Sequence, residues 1–92
     1  MRILLNKCYG GIGLSEKFVE AYPKFTQSVS EEDRVDPELL EAIETFGITH
    51  AAGNYALLHI AEIPDEATDW EIQEYDGYET VVWVLDGKLH HS

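Results

Sequence analysis

Ile3, Leu4 and Leu5 form a short apolar run between Arg2 and Lys7. A near-continuous run of this length is the pattern of a strand covered on both faces. Past residues 6–15 (NKCYGGIGLS) the period changes. Phe18, Val19 and Tyr22 recur at helical spacing, and Pro23 closes the segment. Ser15 is placed to cap this first helix, with Glu16 favourable in its first turn. Residues 24–35 read as a polar connector, pinned by Phe25 and Val29, with residues 28–33 mobile.

The second helix has sharper limits. Asp36 is the N-cap, Pro37 takes the first helical position, and Gly47 suits a left-handed stop. Leu39, Leu40, Ile43 and Phe46 make its inner face, and Glu38, Glu41 and Glu44 its outer one. Residues 51–54 read as a turn. Residues 55–63 read as a strand closed by Pro64, with Leu58 and Ile60 on one side and Leu57, His59 and Ile63 on the other. Two apolar sides predict a central strand. An acidic loop, residues 65–69, follows.

Residues 70–85 predict a β-hairpin about Asp76-Gly77, a type I′ turn. Counting outward pairs Tyr75 with Tyr78, Glu74 with Glu79, Gln73 with Thr80, Ile72 with Val81 and Trp70 with Trp83. Trp70, Ile72, Val81 and Trp83 then share a face that must lie on the helices or on a partner. Glu74 and Glu79 become opposed like charges, a cost unless a basic group sits there. Asp86-Gly87 offers a second turn, and residues 88–91 a short edge strand. The order β-α-α-β-β-β predicts an α+β domain: two helices on one face of a three- to four-stranded, mainly antiparallel sheet.

The 92 residues fit a single domain. A chain this short buries a limited share of its surface, so an oligomer such as a homodimer is one way to gain stability. No apolar run approaches membrane-spanning length, and one cysteine forms no internal disulfide. Both features point to a cytoplasmic protein. Charge changes the picture most. Eighteen acids face six Lys or Arg, a formal net charge of −12. Residues 35–87 hold thirteen acids and no Lys or Arg. Such a region does not bind nucleic acid directly, because phosphates need cations. It leaves a basic protein partner, a cation, or simple solubility as its use.

The chemistry-bearing stretch is residues 6–15. A glycine loop (Gly10, Gly11, Gly13) opening onto a helix at Ser15 is a candidate anion nest, with Lys7 and Tyr9 beside it. Cys8, the lone thiol, is the candidate nucleophile if the positive helix end lowers its pKa. The plain alternative is a small buried thiol ending a strand. The loop resembles phosphate-handling cysteine loops only in part. Leu14 stands where low-molecular-weight phosphatases place an Arg. Cys8, Gly11, Ile12, Gly13 and Ser15 are similar to the loop of sugar phosphotransferase IIB domains, but the strands that end this chain depart from their alternating order. The histidines show no zinc spacing, and the acids no calcium-loop pattern, so no metal and no cofactor is implied. His50 reads as surface and His59 as core.

The motifs together resemble a family of small uncharacterised bacteriophage and prophage proteins. The residues that carry the resemblance are Asn6 through Gly11 with Gly13, Leu14 and Ser15; Arg34, Asp36 and Pro37; Glu62, Ile63, Pro64 and Asp65; and Trp70, Glu74, Tyr75, Asp76, Gly77 and Glu79. A His-Arg pair expected after the last motif is replaced by Val81-Val82-Trp83-Val84. The resemblance implies a phage or mobile-element setting and no reaction. It also groups the motif residues. If the first strand's end meets the hairpin tip, Lys7, Cys8, Tyr9, Arg34, Tyr75, Asp76 and Glu79 form one polar, aromatic cleft. In it Arg34 has Asp36, Asp76 or Glu79 as partner; the simpler role is to tie its loop to the hairpin.

Three function classes follow. The favoured one is a non-enzymatic binding protein that acts on a basic host protein in the host cytoplasm, in the manner of a DNA mimic. The second is a small-molecule or anion binder, or a cysteine-dependent enzyme, at the Cys8 loop. The third is an oligomerising module built on the Trp70/Trp83 face and the last strand.

Overall fold

The computed structural model describes residues 1–8, 11–54 and 56–92. The chain runs β1 (Arg2–Asn6), α1 (Glu16–Ala21), a 3-10 turn (Asp33–Val35), α2 (Pro37–Phe46), α3 (Ile48–Ala51), β2 (Leu58–Glu62), β3 (Asp69–Tyr75), β4 (Tyr78–Leu85) and β5 (Lys88–His91). It is an α+β fold. Among the described residues the strands divide into two antiparallel sheets, β1-β2 and β3-β4-β5.

The β1-β2 ribbon is the middle layer. Its alternating side chains feed two separate cores. Leu4 and Leu58 pack with Leu14, Phe18, Leu39, Leu40 and Ile43 under the helices. Ile3, Leu5, Ala61 and Ile63 point the opposite way and pack with Val81, flanked by Trp70, Ile72 and Trp83. The Trp70/Trp83 face therefore lies on the ribbon, not on the helices. The continuous apolar pattern of β1 has its reason here: Ile3, Leu4 and Leu5 are all fully buried, between two layers.

Local signals act as the sequence requires. Ser15 Oγ accepts the Phe18 N–H at 3.1 Å, and Asp36 Oδ1 accepts the Glu38 N–H at 3.0 Å. Gly47 ends α2 at φ +104°. Asp76 and Gly77 (φ +52° and +81°) form the first hairpin turn, and Asp86 and Gly87 (+53° and +74°) the second. The β3-β4 register is the one counted from the sequence, Trp70 opposite Trp83 through Tyr75 opposite Tyr78.

Four expectations need correction. β2 begins at Leu58 and pairs with β1 alone among the described residues, so it is not central. Tyr55, expected to start that strand, lies outside the described residues. His59 is exposed rather than core: it sits on β2, which has only β1 beside it among the described residues. Part of the connector also closes on itself. The Ser30 N–H donates to Asp33 Oδ2 (2.9 Å), and the Asp33 N–H donates to Ser30 Oγ (3.3 Å). This reciprocal pair starts the 3-10 turn. Finally, residues 48–51, which carry no helix signal beyond the Gly47 break, form α3.

Candidate functional site

The end of β1 meets the start of β4. Asn6 and Lys7 come from β1 and the residue after it; Tyr78 and Glu79 open β4; Arg34 comes from the 3-10 turn. Arg34 makes a two-bond fork to Glu79, Nη1 to Oε1 at 2.6 Å and the second Nη to Oε2 at 2.9 Å. Both residues are 9% exposed. Further hydrogen bonds offset part of the cost of burying such a pair. The Asn6 N–H donates to Glu79 Oε1 (2.7 Å), and Arg34 Nη1 donates to the Leu4 carbonyl (3.3 Å). Arg34 Nε is buried without a partner. The opposed Glu74 and Glu79 thus resolve their repulsion by parting. Glu79 turns to Arg34, and Glu74 accepts the Gly77 N–H at 2.6 Å. Of the three acids expected for Arg34, the structure selects Glu79.

Lys7 closes the junction from the other side. Its Nζ donates to the Glu79 carbonyl at 2.5 Å and lies 4.5 Å from the centre of the Tyr78 ring. Asn6, only 1% exposed, organises the approach to the glycine loop. Its amide donates to the Cys8 carbonyl (2.8 Å) and accepts the Leu57 N–H (2.9 Å). Sequence reasoning placed Asn6 in the motif but gave it no role. The signal was a polar residue ending an otherwise apolar strand, since a buried amide must be fully bonded.

Cys8 is a half-buried free thiol and belongs to neither hydrophobic cluster. Tyr9 and Gly10 lie outside the described residues. Gly11 adopts φ +87° in open space. Beyond it, Gly13, Leu14 and Ser15 are threaded between two other segments. The Leu14 N–H donates to the Gln27 carbonyl (3.0 Å), the Ser15 N–H to the Ala51 carbonyl (2.8 Å), and the Gly53 N–H to the Gly13 carbonyl (2.9 Å). Ser15 Oγ also donates to the His50 carbonyl at 2.7 Å. The Leu14 and Ser15 amides already have protein acceptors and are not free to hold an anion. Of the grouped motif residues, the structure brings together Lys7, Arg34 and Glu79. Tyr75, 81% exposed, and Asp76 stand out at the hairpin tip.

The acidic residues are mostly on the surface, and the chain's own cations answer few of them. Arg2 pairs with Glu44 and Lys24 with Glu38. The Met1 ammonium beside Asp65 holds that carboxyl below its usual range, by a hydrogen bond and by charge. Glu31, Glu32, Glu62, Glu66, Glu71 and Asp76 are exposed. Among the described residues no group of three or more His, Cys, Asp or Glu is placed to hold a metal. Among the described residues no helix is long and apolar enough to cross a membrane. No family model, curated protein or solved structure matches this chain.

Proposed function

We propose that this chain is a non-enzymatic binding protein, of the phage or prophage kind its motifs resemble, that engages a basic host protein in the cytoplasm by imitating a nucleic-acid strand. One observation carries the reading. The molecule is elongated, with principal extents of 43 × 27 × 18 Å, and bears a net charge of −12. Along its length that is one net negative charge per about 3.6 Å, close to the one per about 3.4 Å of a single nucleic-acid strand. Four of the six basic side chains (Arg2, Lys7, Lys24 and Arg34) are turned onto the chain's own acceptors, and none of the six lies within residues 35–87. Such a surface competes for the clefts that bind phosphates, and its affinity depends on ionic strength.

The test is displacement of a fluorescent DNA duplex from a panel of bacterial DNA-binding proteins, with this protein as competitor, at rising salt. The expected result is displacement from at least one member, with competitor affinity falling as salt rises. Failure to displace DNA at low salt, or competition indifferent to salt, overturns the reading.

A further inference from the structure

A groove of about 430 Å³ runs between the end of α1 and the outer side of α2, lined by Tyr22, Phe25, Glu38, Glu41 and Thr45 among others. Its floor is aromatic and fixed. Tyr22 and Phe25 both stack on the fully buried Phe18, at centroid distances of 5.0 and 6.1 Å. Its rim is acidic, with Glu38 and Glu41 one turn apart on the exposed side of α2. The groove already holds an ammonium of the chain itself. Lys24 Nζ pairs with Glu38 and lies 5.8 Å from the centre of the Phe25 ring. Glu41 has no such partner among the ion pairs of the described residues.

We infer that this groove receives an arginine side chain from a basic segment of a protein partner. Its guanidinium stacks on the Tyr22 and Phe25 rings and donates to Glu41. Arginine fits better than lysine because its planar, weakly hydrated head both stacks on an aromatic face and forks onto a carboxylate. Lys24, held by an exposed pair, is a replaceable occupant. The inference rests on the basic-partner reading above and names the point on the surface where specificity is set.

The test is an NMR titration of the whole protein with the peptide acetyl-Gly-Arg-Gly-amide, using the citrulline peptide as an uncharged control of the same shape. Saturable shifts of the Tyr22 and Phe25 rings and of Thr45 are expected with the arginine peptide only. Glu41→Gln, at an exposed position, should weaken binding roughly two- to fivefold. Lys24→Gln should tighten it, and Lys17→Gln, which changes net charge equally away from the groove, should not. Shifts spread over the carboxylates without the two rings, equal binding of the citrulline peptide, or an unchanged Glu41→Gln variant overturn the inference. The two readings fail separately. If Glu41→Gln displaces DNA from its binding protein as well as the wild type does, the groove is not the point of recognition and the basic-partner reading stands. If the wild type displaces no DNA yet the arginine peptide saturates the rings, the groove stands and the nucleic-acid imitation falls.

Discussion

Arg34 and Glu79, 45 residues apart, meet as a buried two-bond ion pair that ties the 3-10 turn to the hairpin across the edge of β1. Removing one partner leaves the other as an uncompensated buried charge. Arg34→Met should therefore cost about 3–5 kcal/mol, a large share of the roughly 5–15 kcal/mol that holds a domain together. The double variant Arg34→Met, Glu79→Met removes both charges, and it should be more stable than Arg34→Met alone. Urea unfolding of the wild type, both single variants and the double checks this. Additive costs in the double would show that the pair is not coupled.

The buried Asn6 side-chain amide bridges the Cys8 carbonyl and the Leu57 N–H. Asn6→Ala orphans the Leu57 N–H and the Cys8 carbonyl, at a cost of about 1–3 kcal/mol. Thermal unfolding should show the loss, and the Leu57 amide should exchange with solvent faster in the variant. An unchanged Leu57 exchange rate would mean that the bond to Asn6 does not protect it.

The glycines of the crossing loops divide by mechanism. A Cβ at Gly53 would meet the Gly13 backbone at 3.3 Å, where nothing flexible can move aside, whereas a Cβ at Gly13 would meet the Gln27 carbonyl at an ordinary 3.7 Å. Gly11 has open space but a positive φ. Gly11→Ala should cost about 1–2 kcal/mol through backbone strain, and Gly53→Ala a similar amount through contact. Gly13→Ala should stay within about 0.5 kcal/mol of the wild type. Chemical denaturation of the three variants checks the order. A Gly13 variant as unstable as the Gly53 one would refute the account.

Cys8 contributes a carbonyl to the Asn6 network rather than a packed thiol. Cys8→Ser should thus leave stability within about 0.5 kcal/mol of the wild type. Alkylation should proceed in the folded state, since the residue is half-buried and in neither core. Reaction only after unfolding would place the thiol in the interior and remove the loop from consideration as a reactive site.

Much of this architecture was legible because it depends on neighbours in sequence. Ser15 and Asp36 cap their helices through N–H groups two or three residues away. Asp76-Gly77 sets positive φ at both turn residues, and a turn of fixed length fixes the whole β3-β4 register. That Arg34 needs an acid partner follows from composition, since the chain has no other Lys or Arg between Lys24 and Lys88; that the partner is Asp36, Asp76 or Glu79 follows only from grouping the motif residues.

What the sequence left open turns on contacts between distant segments. A near-continuous apolar run in β1, and apolar residues on both sides of β2, point to cover on both sides, but not to what provides it. The helices and the hairpin are equally apolar, and only the assembled structure puts one on each side of the ribbon. The same holds for the site. Lys7 looked free to serve the glycine loop, yet its ammonium is drawn to the Glu79 carbonyl and the Tyr78 ring, because the end of β1 pairs with the start of β4. By itself the sequence determined β1, α1, α2 and the hairpin strands with their caps and turns, and the acidic surface, since these follow from local backbone chemistry and composition; α3 and the 3-10 turn carried no such local signal. Only the tertiary structure decided the layering, the choice of Glu79 for Arg34, and the groove between α1 and α2. Each of these depends on which distant faces share the exclusion of water.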